Sequence, residues 1–172
     1  MRMNLPRVLL IIASVFTAFI LQSCVLSRLG LPGATPNLVL VVVIAIAMAA
    51  GPGSGAIVGF SAGVLVDIAP PATGSLGQSA AVFAVAAYIA GHVQLERGLP
   101  DLRVVGTVAA LSAGVTVALV VSDSLVGSGQ FPWSALPSSM LSGAVYAGLL
   151  SLIFLPAISG LYRGAIEETG FA

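Results

Sequence analysis

Gly55-Ala56-Ile57-Val58-Gly59-Phe60-Ser61-Ala62-Gly63-Val64-Leu65-Val66-Asp67 places three glycines and a carboxylate at a strict spacing of four, inside an almost wholly apolar run. On an α-helix that spacing sets all four along one slowly drifting stripe. A stripe without side chains lets a neighbouring helix approach closely, and a carboxylate at its end marks something other than lipid contact. The remainder of the chain is organised around this helix.

Of the 172 residues, 58% are hydrophobic and only 7% are charged, and the mean hydropathy is +1.12. A soluble domain carries roughly 25% charged residues, so this chain cannot cover itself with a hydrated surface. The composition is that of an all-α integral membrane protein, with residues 1–172 forming a single polytopic domain. Net charge is zero, and no basic patch exists to neutralise the phosphates of a nucleic acid. The lone cysteine, Cys24, cannot form an intramolecular disulfide. With His92 the only histidine, no Cys/His cluster has metal-ligand spacing, so no metal or other cofactor is expected.

Arg2 and Arg7 precede an apolar run from Val8 to about Leu26, close to the roughly 20 residues that cross a bilayer. Leu21-Gln22-Ser23-Cys24 imitates a lipoprotein cleavage box. However, Gln22 stands where a small or β-branched residue is usual, and the apolar stretch continues past the cysteine, so the segment reads as a first helix. Prolines and glycines over 28–36 make a loop. Pro36-Asn37-Leu38 then opens a second helix, with Asn37 as its N-cap, running to Ala50. Gly51 to Gly55 is an uncharged turn, and the third helix spans about Gly55 to Ile68. Both are short for a bilayer, and two crossings fit them better than a re-entrant hairpin.

Pro70-Pro71 ends the third helix, and a fourth spans about Ser75 to His92. The main charged loop holds Gln94, Glu96, Arg97, Asp101 and Arg103. A fifth helix covers about Leu102 to Val126, the loop after it carries Trp133, and a sixth covers about Ser138 to Tyr162. Six transmembrane helices with a cytoplasmic N-terminus put Arg2, Arg7, Arg97, Arg103 and Arg163 inside and only Arg28 outside, as the positive-inside rule requires. Both termini are then cytoplasmic, and Asp67 and Asp123 lie toward the external face. Small residues at the same spacing recur at Gly106, Ala110, Gly114 and Ala118, and at Ser139, Gly143, Ala147 and Ser151.

Three patterns invite a catalytic reading. Gly59-Phe60-Ser61-Ala62-Gly63 matches the Gly-x-Ser-x-Gly nucleophile pattern, but that device needs a sharp strand-to-helix turn, and here the serine falls in mid-helix. Asp67 and Asp123 are candidates for an aspartyl dyad, yet neither has the flanking residues expected of intramembrane peptidases, and a carboxylate near a polar loop is ordinary. His92 reads as an interfacial side chain at a helix C-terminus. Gln22, an amide in an apolar helix, needs a partner: Asp67, a backbone carbonyl or another protein. The expected protein is therefore not an enzyme.

The order of these features, Gln22, then Pro36-Asn37-Leu38, Gly51-Pro52, Gly59-Phe60-x-x-Gly63-x-x-x-Asp67 and Gly74-x-Leu76-Gly77, resembles the MreD family. These are small membrane proteins of the bacterial rod-shape machinery. The likeness covers most of residues 1–95, and the second half agrees in hydropathy and helix number. Where the family commonly has Pro-Asp-Leu, this chain has Pro36-Asn37-Leu38, which keeps a cap and loses a charge.

The resemblance implies a plasma-membrane scaffold that binds MreC and, through it or directly, MreB, RodA and a class B penicillin-binding transpeptidase. The residues expected to serve helix packing or partner contact, from the glycine stripe and the resemblance together, are Gln22, Pro36, Asn37, Gly55, Gly59, Gly63, Asp67, Gly74, Leu76 and Gly77. The family is similar in architecture to the substrate-binding subunits of energy-coupling-factor vitamin transporters. A small-molecule transporter subunit is accordingly the alternative expectation.

Overall fold

A 13-residue helix of nothing but Leu, Val, Ile, Ala and Met lies at the centre of the molecule. The computed structural model describes residues 5–24, 37–69, 76–93, 101–126 and 136–167. Among the described residues there are six helices and no strand: α1 (Leu5–Cys24), α2 (Leu38–Ala50), α3 (Pro52–Ile68), α4 (Gln78–Ala90), α5 (Leu102–Val126) and α6 (Leu136–Glu167). The expected helix number and order are present. Pro36, Pro70, Pro71, Gly74, Trp133 and the charged stretch 94–100 lie outside the described residues.

The central helix is α2, which touches each of the other five. Every side chain from Leu38 to Met48 is buried. At 13 residues it is roughly 20 Å long, too short for a bilayer core of roughly 30 Å. A helix sheathed by protein need not reach either interface, which accounts for the shortness. Its free N–H groups still need acceptors, because its first turn is buried among other helices away from solvent. Asn37 Oδ1 accepts from the Leu40 N–H at 3.1 Å, as an N-cap does. Gln22 Oε1, from α1, accepts from the Val39 N–H at 3.0 Å.

One residue separates α2 from α3. Gly51, at φ +90°, ends the first helix and starts the second, and its N–H donates to the Ala47 carbonyl. Helix α3 therefore begins at Pro52, three residues before the expected start at Gly55. Proline suits the first helical position because the N–H it lacks would be unpaired there. The fourth helix starts later than expected, at Gln78, because Gly77 adopts φ +93°. The sixth runs through Pro156 and on to Glu167, beyond the expected end near Tyr162.

Not every helix is long enough to cross a membrane on its own terms. Among the described residues, Leu102–Leu125 and Leu136–Leu161 pass by length and apolarity, whereas the apolar segments of the other four helices are shorter. Large apolar side chains nevertheless face outward on most of the molecule, including Leu9, Ile12 and Phe16 on α1, Ile57 and Phe60 on α3, and Leu141, Val145 and Leu149 on α6. An apolar exterior of that extent matches lipid as solvent.

Candidate functional site

The stripe that opens the sequence meets α4, and the two helices run antiparallel in close register. A Cβ added to Gly59 would stand 2.5 Å from the Phe83 carbonyl oxygen and 2.8 Å from Ala87 Cβ. On Gly55 it would meet Ala47 Cβ at 2.6 Å and the Ala87 carbonyl oxygen at 3.1 Å. On Gly63 it would collide with the Ala80 backbone, and on Gly91, at the far end of α4, with Pro52. The ladder thus pairs Pro52 with Gly91, Gly55 with Ala87, Gly59 with Phe83 and Gly63 with Ala80. Backbone lies on backbone along its length, the closeness that small residues permit in a membrane. Gly55, Gly59 and Gly63 are all buried.

One turn beyond Gly63, the Asp67 carboxylate closes the ladder. Its Oδ2 accepts from the Gly77 N–H at 2.9 Å and from the Ala80 N–H at 3.3 Å, and its Oδ1 accepts from the Ser79 N–H at 3.2 Å. Three amides of the first turn of α4 converge on one anion, where the helix dipole also favours negative charge. Gly77 turns the chain with a positive φ that β-carbon-bearing residues rarely adopt. The Gly-x-x-x-Gly-x-x-x-Asp spacing and the distant Gly77 are therefore two halves of one device. Leu76, beside it, stands 78% exposed.

The other candidates sit elsewhere. Asp67 and a backbone carbonyl were the expected partners of Gln22; among the described residues its Oε1 instead accepts from the Val39 N–H. Ser61 lies within α3, exposed, with its hydroxyl donating to the Ile57 carbonyl one turn back. His92 Nδ1 donates to the Tyr88 carbonyl at 2.9 Å and its ring packs edge-on to Tyr88 at 4.9 Å. Asp67 and Asp123 are not joined as a dyad: Asp123 Oδ1 accepts from Gln78 Nε2 at 3.0 Å, while Asp67 holds backbone amides. Among the described residues no three His, Cys, Asp or Glu side chains gather as a metal site would require.

Gln78 is the residue that the sequence reading passed over. An amide at the head of an otherwise small and apolar helix, on the same expected face as Asp123, was the available signal. Grooves flank α1 on both sides and separate α4 from α5; their linings are almost wholly apolar.

Among the described residues, six packed helices with an apolar exterior, two of them long and apolar enough to span a membrane, define an all-helical protein whose surface is consistent with a membrane. The family described as rod shape-determining protein MreD matches residues 1–164, nearly the whole chain, and the chain belongs to it. That family is a membrane family of shape-determining proteins. No curated protein and no solved structure matches the chain significantly.

Proposed function

We propose that the chain is a non-enzymatic scaffold of the bacterial cell-elongation machinery, seated in the plasma membrane with both termini cytoplasmic. It holds MreC and, through that protein or directly, MreB, RodA and a class B penicillin-binding transpeptidase at sites of lateral wall synthesis. The family match over residues 1–164 carries this reading. The geometry supports it in one respect: Gln22, Asn37 and Asp67 are engaged in capping helices of their own chain, which gives them structural rather than catalytic work.

In this reading Gly55, Gly59, Gly63 and Asp67 build a stiff α3–α4 pair, and the outward surface at its Asp67 end meets the partner. Leu76 is the residue there with most to offer, since it is large, apolar and exposed. The transporter alternative finds no support in the grooves, whose apolar linings suit hydrocarbon rather than a hydrophilic vitamin.

The test is crosslinking in growing cells from a cysteine at Leu76, in a Cys24→Ser background, read together with cell shape. Capture of MreC from Leu76→Cys, absent from a cysteine at buried Val58, is the expected result. Normal rod shape and undiminished MreC copurification in a Leu76→Asp variant would overturn the assignment of this edge.

A further inference from the structure

The α3–α4 pair is short, and polar groups mark its length at both ends. At one end Asp67 accepts from the Gly77 and Ser79 N–H groups and Gln78 donates to Asp123, which sets these residues at one level. At the other end Gly91 packs against Pro52, so closely that a Cβ on it would stand 2.4 Å from the Pro52 Cα. His92 follows, exposed, with Nδ1 on the Tyr88 carbonyl. From Gln78 to His92 the chain advances 14 positions, and from Pro52 to Asp67 it advances 15. At the rise of an α-helix these spans are about 21 and 22 Å, against a hydrocarbon core of about 30 Å.

Helix α2 is equally short, but it is sheathed by protein. The pair is not: Ile57, Phe60 and Ile68 of α3 and Val85, Tyr88 and Ile89 of α4 are each about half exposed or more. A helix too long for its bilayer can tilt, as α6 can with exposed apolar side chains from Leu141 to Leu161. Tilting a pair that is too short only widens the deficit. Sliding α3 along α4 to lengthen it is blocked by the ladder, where Gly59 lies on the Phe83 carbonyl and Gly63 on the Ala80 backbone. Sinking one end would carry the Asp67 carboxylate or His92 into hydrocarbon.

Tyr88 gives the same level independently. Ten positions from Gln78, it would lie about 15 Å down, at the centre of a flat core, whereas tyrosine favours the headgroup region. With the boundary drawn in to His92, that region is within about 6 Å of its Cα.

We propose that the bilayer is thinned where it meets α3–α4, its headgroups drawn to the Asp67 level on one side and to His92 on the other. The occupant of this face is lipid, in the form of short or strongly disordered acyl chains. In the orientation proposed above, the His92 end is the cytoplasmic one. The inference rests on the membrane reading of the chain and on no protein partner.

Nitroxide depth measurements on the purified full chain test it. In a Cys24→Ser background, Ile57→Cys and Ile68→Cys are labelled singly, both at outward-facing positions, and the protein is reconstituted in dioleoyl phosphatidylcholine vesicles. Depth below the headgroups is read from collisions with oxygen and with a water-soluble nickel chelate. The two residues are 11 positions apart on α3. That is about 17 Å, so the two depths should sum to about 5 Å, whereas an undistorted core requires about 13 Å. A chain that floats with the vesicles and returns the larger sum overturns the thinning alone. Immobilised labels shielded from oxygen would show a second copy on this face and overturn it as well. A chain that does not float with the vesicles overturns the membrane reading and this inference together.

Discussion

Placing the same methyl group on two glycines tests the ladder directly. Gly59→Ala puts a Cβ 2.5 Å from the Phe83 carbonyl oxygen and 2.8 Å from Ala87 Cβ, whereas Gly106→Ala on α5 meets nothing within 4 Å. To restore an ordinary contact of 3.4 Å, α4 must retreat from α3 by about 0.9 Å at this rung. That retreat is opposed by the neighbouring rungs at Gly55 and Gly63 and by the Asp67 bonds, two of which already measure 3.2 and 3.3 Å.

Overpacking of this kind costs about 1–3 kcal/mol. Each substitution also gains up to about 1 kcal/mol in helix propensity, a term the two share. Their difference therefore isolates the overlap: Gly106→Ala should be neutral or slightly stabilising, and Gly59→Ala less stable than it by about 1–3 kcal/mol. For a chain of this size the gap corresponds to roughly 2–12 °C in thermal midpoint, read by loss of helical circular dichroism in detergent micelles. Gly59→Ala as stable as Gly106→Ala would refute the close approach of α3 and α4 and with it the ladder.

Asp67→Ala strands three amide donors at the start of α4 and should lower stability by about 1–3 kcal/mol in the same unfolding assay. Asp67→Asn, which keeps one acceptor oxygen, should lose about half as much; a loss equal to that of Asp67→Ala would mean that the cap needs the charge or both oxygens. Gln22→Leu should cost about 0.5–1.5 kcal/mol and Asn37→Ala about 1 kcal/mol. Because the two side chains serve the adjacent N–H groups of Val39 and Leu40, a double-mutant cycle should return a coupling of about 0.5 kcal/mol or more. Strict additivity would show that the caps act independently.

How much of this was legible in the sequence divides by physical cause. Six apolar segments broken by proline, glycine and charge gave the helix number, and Asn37 sits where a cap belongs because a short polar side chain has a local reason to be there. The glycine spacing marked one face of α3 as a close contact. Its partner was not legible, since in a chain apolar on every side polarity does not distinguish inside from outside. Leu40 and Val43 are sealed within the molecule, while Leu149 and Ile153 face outward. The same residue types serve both places, and only size and position tell them apart. The bonds of Gln22 and Gln78 were hidden for another reason: their partners lie 17 and 41–45 residues away. Nothing local in the sequence encodes a separation of that kind.

The distribution of these bonds bears on the scaffold role proposed above. Lipid tails are as apolar as the buried side chains of α2, so burial alone contributes little to holding helices together in a membrane. What remains is close backbone packing and satisfied polar groups, and among the described glycines the closest backbone packing lies along α3 and α4. Gln22 and Asn37 fasten the start of α2, Gly51 joins it to α3, and the ladder with Asp67 fastens α3 to α4. Across the next boundary Gln78 joins α4 to the Leu119 carbonyl and Asp123 of α5, and Ser112 of α5 meets the Gly143 carbonyl of α6. A partner that grips the first four helices therefore meets a preformed surface and spends little of its binding energy on ordering it.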